Sequence, residues 1–166
     1  FNDAYGEIPI VKFLWMDIDP NLEQQSAKFF DRNRERIELS GSDPATIIEH
    51  LDTHPFIKAW WPAMSPRPGQ LGGAGSPQQR RLVGRLMYFS KFNEIIYPQL
   101  TTALNSLKSI QRQRETEAIE KNKFRFTVND NSINVCLIFS PCGGTGSSMA
   151  FDLAYLCRKI LENNRP

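Results

Sequence analysis

Histidine and cysteine are scarce in this chain, with two of the former and three of the latter in 166 residues. The cysteines show no CxxC spacing, which argues against a disulfide framework and a zinc site and fits a reducing cytoplasm. No run of about 18 apolar residues occurs, so no segment reads as a membrane span. A dominant charge is missing as well. A formal net charge of +2 gives no footing for nucleic acid as a partner. Internal repeats and low-complexity blocks are absent. His50 and His54 are four apart, as two metal ligands on a helix would be, but His54 abuts Pro55, where a histidine also complements a helix dipole. What remains is 40% hydrophobic sequence, enough for one core and one domain.

The most informative stretch is the apolar run Ile133–Phe139, followed by Ser140-Pro141-Cys142-Gly143-Gly144-Thr145-Gly146-Ser147-Ser148 and an apolar-periodic segment from Met149. The order predicts strand, glycine-rich turn and helix. Glycines without a Cβ let a backbone approach a ligand closely. The first N–H groups of a helix have no internal acceptor, and with the helix dipole they form an anion site, most often for phosphate. Thr145 and Ser147 could add hydroxyl donors, or could cap the helix.

A Walker loop needs a lysine before its Ser or Thr, and this turn has none. A dinucleotide fingerprint needs a third glycine where Met149 stands. Cys142-Gly143-Gly144-Thr145-Gly146-Ser147-Ser148 resembles the GGGTGSG-like signature of tubulins at five of seven positions. Two further segments follow the same family's order. Phe13-Leu14-Trp15-Met16-Asp17-Ile18-Asp19-Pro20 is similar to the acidic loop that lies beside the nucleotide and its magnesium. Gly72-Gly73-Ala74-Gly75-Ser76 resembles the Gly-Ala-Gly loop that faces the γ-phosphate in tubulins and FtsZ. The stretch from Asp43-Pro44 through Trp60-Trp61-Pro62 to Leu82-Val83-Gly84-Arg85 resembles the bacterial tubulin-like branch of that superfamily.

The resemblance implies an α/β fold, a Rossmann-like, mostly parallel sheet flanked by helices. It implies that residues 1–166 form part of a tubulin/FtsZ nucleotide domain, with the family's first strand and loop before Phe1 and its C-terminal half after Pro166. Cys142, Gly143, Gly144, Thr145, Gly146 and Ser147 would hold the α/β-phosphates of GTP, and Gly73, Ala74 and Gly75 would meet the third. Asp17 and Asp19 would hold Mg2+ directly or through water. The expected activity is GTP hydrolysis at the interface of a longitudinal homopolymer, with the catalytic acid supplied by a segment outside this sequence. Two other readings stay open. One is a non-catalytic tubulin-like scaffold, pointed to by Cys142 in the turn and by the aromatic, proline-rich stretch around Trp60. The other is a dinucleotide-dependent enzyme using Gly144-Thr145-Gly146, with Glu162 near the distance of a ribose-binding acid.

Along the chain, Ile8–Met16 reads as a strand covered on both faces, and Ile37–Leu39 as a short extended piece. Asn21–Arg36 has helical composition. Asp43-Pro44 reads as a helix start, and that helix must end before Pro55. Phe56–Trp61 is a compact aromatic turn or short helix, and Pro62–Pro77 a long loop. Gln78–Glu120 carries the longest helical pattern, with Pro98 predicting a kink or two abutting helices. Phe124–Val128 alternates like an edge strand, and Asn129–Ser132 reads as a turn. Cys136 and Cys157 are expected to be core thiols. Arg80, Arg81 and Arg85 could reach phosphate or line a solvated helix face.

Overall fold

A computed structural model describes residues 9–18, 35–41, 43–62, 81–109 and 132–163. The expected segment 21–34, most of the loop 62–77, the 124–128 strand and the 129–131 turn residues lie outside the described residues. So do Asp19, Gly73, Ala74, Gly75 and Arg80.

Two short strands, β1 (Trp15–Asp17) and β2 (Arg36–Glu38), pair in parallel with Trp15 opposite Arg36, Met16 opposite Ile37 and Asp17 opposite Glu38. The pairing continues past the strand ends, where the Leu39 N–H donates to the Asp17 carbonyl at 2.9 Å. Apolar side chains within and just beyond the ladder seal it: Ile37 in β2, and Ile18 and Leu39 past the strand ends, are all buried. Of the expected strand over 8–16, the described residues form a ladder only at the C-terminal end. Upstream, Val11 and Phe13 are exposed, because no described strand covers them.

Helix α1 (Pro44–Glu49) begins where the sequence places it. The Asp43 side chain accepts from the Ala45 N–H at 3.1 Å and from the Thr46 hydroxyl at 2.9 Å, and Pro44 occupies the first turn, where no N–H is needed. A 3₁₀ turn (Leu51–Thr53) leads to α2 (Pro55–Trp60). His50 and His54 each sit at a helix boundary rather than together on one helix face, and no metal-binding cluster of His, Cys, Asp and Glu occurs among the described residues.

The long helical pattern divides as Pro98 predicts. Helix α3 (Arg81–Ser90) is followed by a π turn (Phe92–Ile96) and α4 (Tyr97–Leu107). Proline cannot donate to the carbonyl four residues back, and its ring crowds that carbonyl. The widened turn just upstream takes up the strain, with the Ile96 N–H reaching back five residues to the Lys91 carbonyl at 3.1 Å. Helix α5 (Thr145–Asn163) buries Met149, Ala150, Leu156, Cys157 and Ile160. It lies along α3 and also meets α4, while α1 and α2 pack on α3. The core is the space these helices share with the sheet, filled by Leu86, Met87, Tyr88, Ile96 and Met149 among others.

Two expectations are corrected here. Ile133–Phe139 is not a buried strand: it forms no ladder among the described residues, and Val135, Leu137, Ile138 and Phe139 are exposed. Its odd-numbered residues Ile133, Val135 and Leu137 instead line a cavity of about 380 Å³ against α5. An apolar run becomes a strand only when a neighbouring backbone accepts its N–H and C=O groups. Cys136, riding on that run, is exposed, whereas Cys157 is buried as expected.

Candidate functional site

The turn before α5 is built by its own polar groups. Ser140 opens it: the Cys142 N–H reaches the Ser140 hydroxyl at 3.3 Å, and the Gly143 N–H reaches the Ser140 carbonyl at 3.4 Å. The Ser147 hydroxyl then donates to the Gly143 carbonyl, and the Ser148 hydroxyl to the Thr145 carbonyl at 2.6 Å. Thr145, Gly146 and Ser147 fall in the first turn of a 19-residue helix, so their N–H groups have no intrahelical acceptor. Turn and helix thus match the expected strand–turn–helix order, although the strand does not.

Two segments 128 residues apart meet at this point. The Thr145 hydroxyl donates to Asp17 Oδ1 at 3.0 Å, and the same oxygen accepts the Ile18 N–H at 2.7 Å. Asp17 stands at the C-terminal end of β1, the edge at which ligands of parallel α/β sheets bind. Of the residues singled out from sequence, Asp17, Cys142, Gly143, Gly144, Thr145, Gly146 and Ser147 are thereby brought to one place. Asp19 and the Gly73–Gly75 loop lie outside the described residues.

The turn is held from behind by α3, through contacts that the sequence reading did not assign. Arg81, Gly84, Arg85 and Tyr88 follow helical spacing along one face. Arg81 Nη2 donates to the Pro141 carbonyl at 3.0 Å. At Gly84 a Cβ would lie 2.2 Å from Ser148 Oγ and 2.5 Å from the Gly144 carbonyl oxygen, so only glycine lets the two elements come this close. Arg85 grips both carboxylate oxygens of Asp152, at 2.8 and 3.0 Å. Its guanidinium also stacks over Trp60, 4.9 Å from the ring centroid. The bond to Asp152 raises the Arg85 pKa, with burial opposing and the carboxylate charge reinforcing it. An unexplained glycine inside a helical pattern is the signal that could have found Gly84. Asp152 could not have been found, because its partner lies 67 residues away.

Gly146 is also held by the fold, since a Cβ there would sit 2.8 Å from Phe139 Cβ. Gly143 is different. A Cβ there would meet nothing nearer than the Ser140 carbonyl at 3.7 Å, so packing does not require glycine at 143. Cys142 is exposed. Trp60 is half-buried against Trp61 and Phe89, with centroids 5.8 and 5.6 Å away, which makes it part of an aromatic cluster. Glu162 lies in the last turn of α5 and pairs with Arg158 at 2.8 Å. It is not at a strand end, where a ribose-binding acid would belong. Among the described residues, no helix is long and apolar enough to cross a membrane.

Against this geometry, a family model described as tubulin-like matches residues 2–166. Neither a curated protein nor a solved structure matches the chain.

Proposed function

The chain belongs to the tubulin-like family, and on that premise we propose that it binds GTP at the turn between Ser140 and Ser148. The observation that carries the reading is the meeting of Asp17 with Thr145 at the end of β1, because it joins the acidic segment to the glycine turn at the ligand-binding edge of the parallel pair. The residues fit a phosphate. Three first-turn N–H groups lack intrahelical acceptors, and Gly143 is a glycine that packing does not demand. Gly143, Gly144, Thr145, Gly146 and Ser147 would hold the α/β-phosphates, with Gly73, Ala74 and Gly75 meeting the third. Magnesium would be held by Asp19, because the Asp17 carboxylate is engaged through Oδ1 with the turn and with the Ile18 N–H.

Bound Mg2+ would offset phosphate charge during hydrolysis, and the chain's own residues would orient the triphosphate. Hydrolysis and assembly into a homopolymer belong to the same proposal, with one subunit cradling the nucleotide and the next completing the site. Phosphoryl transfer depends on positioning and charge stabilisation, which a site divided between two chains can supply.

The experiment is GTP turnover per subunit in the intact protein across a wide range of protein concentration. Turnover that switches on above a threshold concentration is the expected result. Near-zero turnover at all concentrations would overturn the hydrolysis claim, and absence of GTP binding would overturn the proposal entirely.

A further inference from the structure

Every side-chain hydroxyl in the helix-entering half of the turn is already committed. A threonine or serine hydroxyl has one proton to donate. Thr145 gives its proton to Asp17, Ser147 to the Gly143 carbonyl, and Ser148 to the Thr145 carbonyl. An ionised carboxylate only accepts, so the direction of the Thr145–Asp17 bond is fixed. None of these protons is left for a phosphate oxygen.

Asp17 is itself tied down from three directions. Its Oδ1 accepts the Ile18 N–H at 2.7 Å, its carbonyl accepts the Leu39 N–H from beyond β2 at 2.9 Å, and the next residue, Ile18, is buried. The carboxylate is therefore a fixed point of the sheet, and the bond to Thr145 is charge-assisted. From these contacts we infer that Asp17 is a positioning residue: it holds the glycine turn against the sheet through the Thr145 hydroxyl, leaving main-chain N–H groups to bind phosphate. This inference rests on the GTP reading for its ligand. It goes beyond that reading in assigning Thr145 a partner inside the protein and Asp17 a task separate from metal binding.

The two tasks respond differently to an amide. Asp17→Asn keeps an acceptor oxygen for Thr145 and Ile18 but removes the charge a metal needs. Thr145→Val is nearly isosteric and removes only the hydroxyl, while Thr145→Ser keeps it. The test uses the intact protein and two readouts. One is GTP affinity with Mg2+ and with EDTA; the other is hydrogen exchange of the 141–148 amides without nucleotide.

Asp17→Ala and Thr145→Val should each weaken GTP binding about tenfold, in Mg2+ and in EDTA alike. The double variant should be no weaker than either single one. Both should speed exchange of the turn amides, whereas Asp17→Asn and Thr145→Ser, which keep the hydrogen bond between residues 145 and 17, should exchange those amides at close to the parent rate. Should Asp17→Asn lose affinity only when Mg2+ is present, Asp17 is a metal ligand and the inference fails. Additive losses, or turn amides that exchange at the parent rate in Thr145→Val, overturn it as well. If the parent protein binds no GTP yet the amides still loosen in Asp17→Ala and Thr145→Val, the GTP reading falls and the positioning role stands.

Discussion

Gly84→Ala adds one methyl group at the closest approach between α3 and the glycine turn. The new Cβ would sit 2.2 Å from Ser148 Oγ, 2.9 Å from Ser148 Cβ and 2.5 Å from the Gly144 carbonyl oxygen. The serine hydroxyl can rotate away, but the carbonyl is backbone, so either α3 or the turn has to move. Overpacking of this kind costs about 1–3 kcal/mol. Against it stands the gain of about 1 kcal/mol from replacing glycine by alanine inside a helix. The net expectation is a loss of up to about 2 kcal/mol. With a slope of about 2 kcal/mol per molar in urea, the midpoint should fall by up to about 1 M while the slope stays constant. Adding Ser148→Ala removes the nearest atom and leaves the carbonyl contact, so it should recover only part of the loss. A Gly84→Ala protein more stable than its parent by about 1 kcal/mol would show helix propensity acting alone, and the close approach of α3 to the turn would be refuted.

Three other outcomes follow from the packing around α3 and α5. Tyr88 is 1% exposed and its hydroxyl has no hydrogen-bond partner among the described residues, so Tyr88→Phe should stabilise the fold by about 1 kcal/mol in a urea melt. Burial first, then the nearby Asp152 and Cys157, push the Tyr88 phenol above its ordinary value. The stabilising difference is full below the unfolded phenol pKa of about 10 and is lost as pH rises beyond it, so absorbance near 295 nm should show this phenol ionising only as the protein unfolds in alkali. Arg85 and Asp152 should couple by about 1 kcal/mol in a double-mutant cycle, a modest figure because the Arg85 side chain is 40% exposed and water screens the pair. Cys136 and Cys142 should alkylate in the native protein while Cys157, whose thiol burial pushes up, reacts only after unfolding. GTP should slow Cys142 alone, and equal rates with and without GTP would count against phosphate at this turn.

Local signals translated well from sequence to structure, and signals that need a distant partner did not. Asp43 followed by proline set the start of α1, because a cap and its helix lie within three residues of each other. Pro98 located the break between α3 and α4 for the same reason, since a missing N–H acts on its own helix. The glycine turn and the helix after it were legible from composition. Ile133–Phe139 was not: its hydrophobicity marks a strand only if another backbone lies alongside, and a single sequence carries no record of that neighbour. The same holds within the site. Thr145 and Asp17 were each identifiable, but their mutual bond spans 128 residues of chain. Of the face of α3 that closes the turn, Arg81 and Arg85 were legible as cations, but their partners Pro141 and Asp152, 60 and 67 residues away, were not.

The exposed run Ile133–Phe139 also determines how the protein behaves at high concentration. Seven residues with no charge and no proline, rich in β-branched and aromatic side chains, have the composition of a self-associating segment, and Ile138 is 93% exposed. A net charge of +2 offers little colloidal repulsion to keep such edges apart. Solubility should therefore respond to this stretch, alongside other exposed aromatic side chains such as Phe56 and Phe151. A single lysine placed at Ile138, pointing into solvent, should raise it without disturbing α5 or the turn.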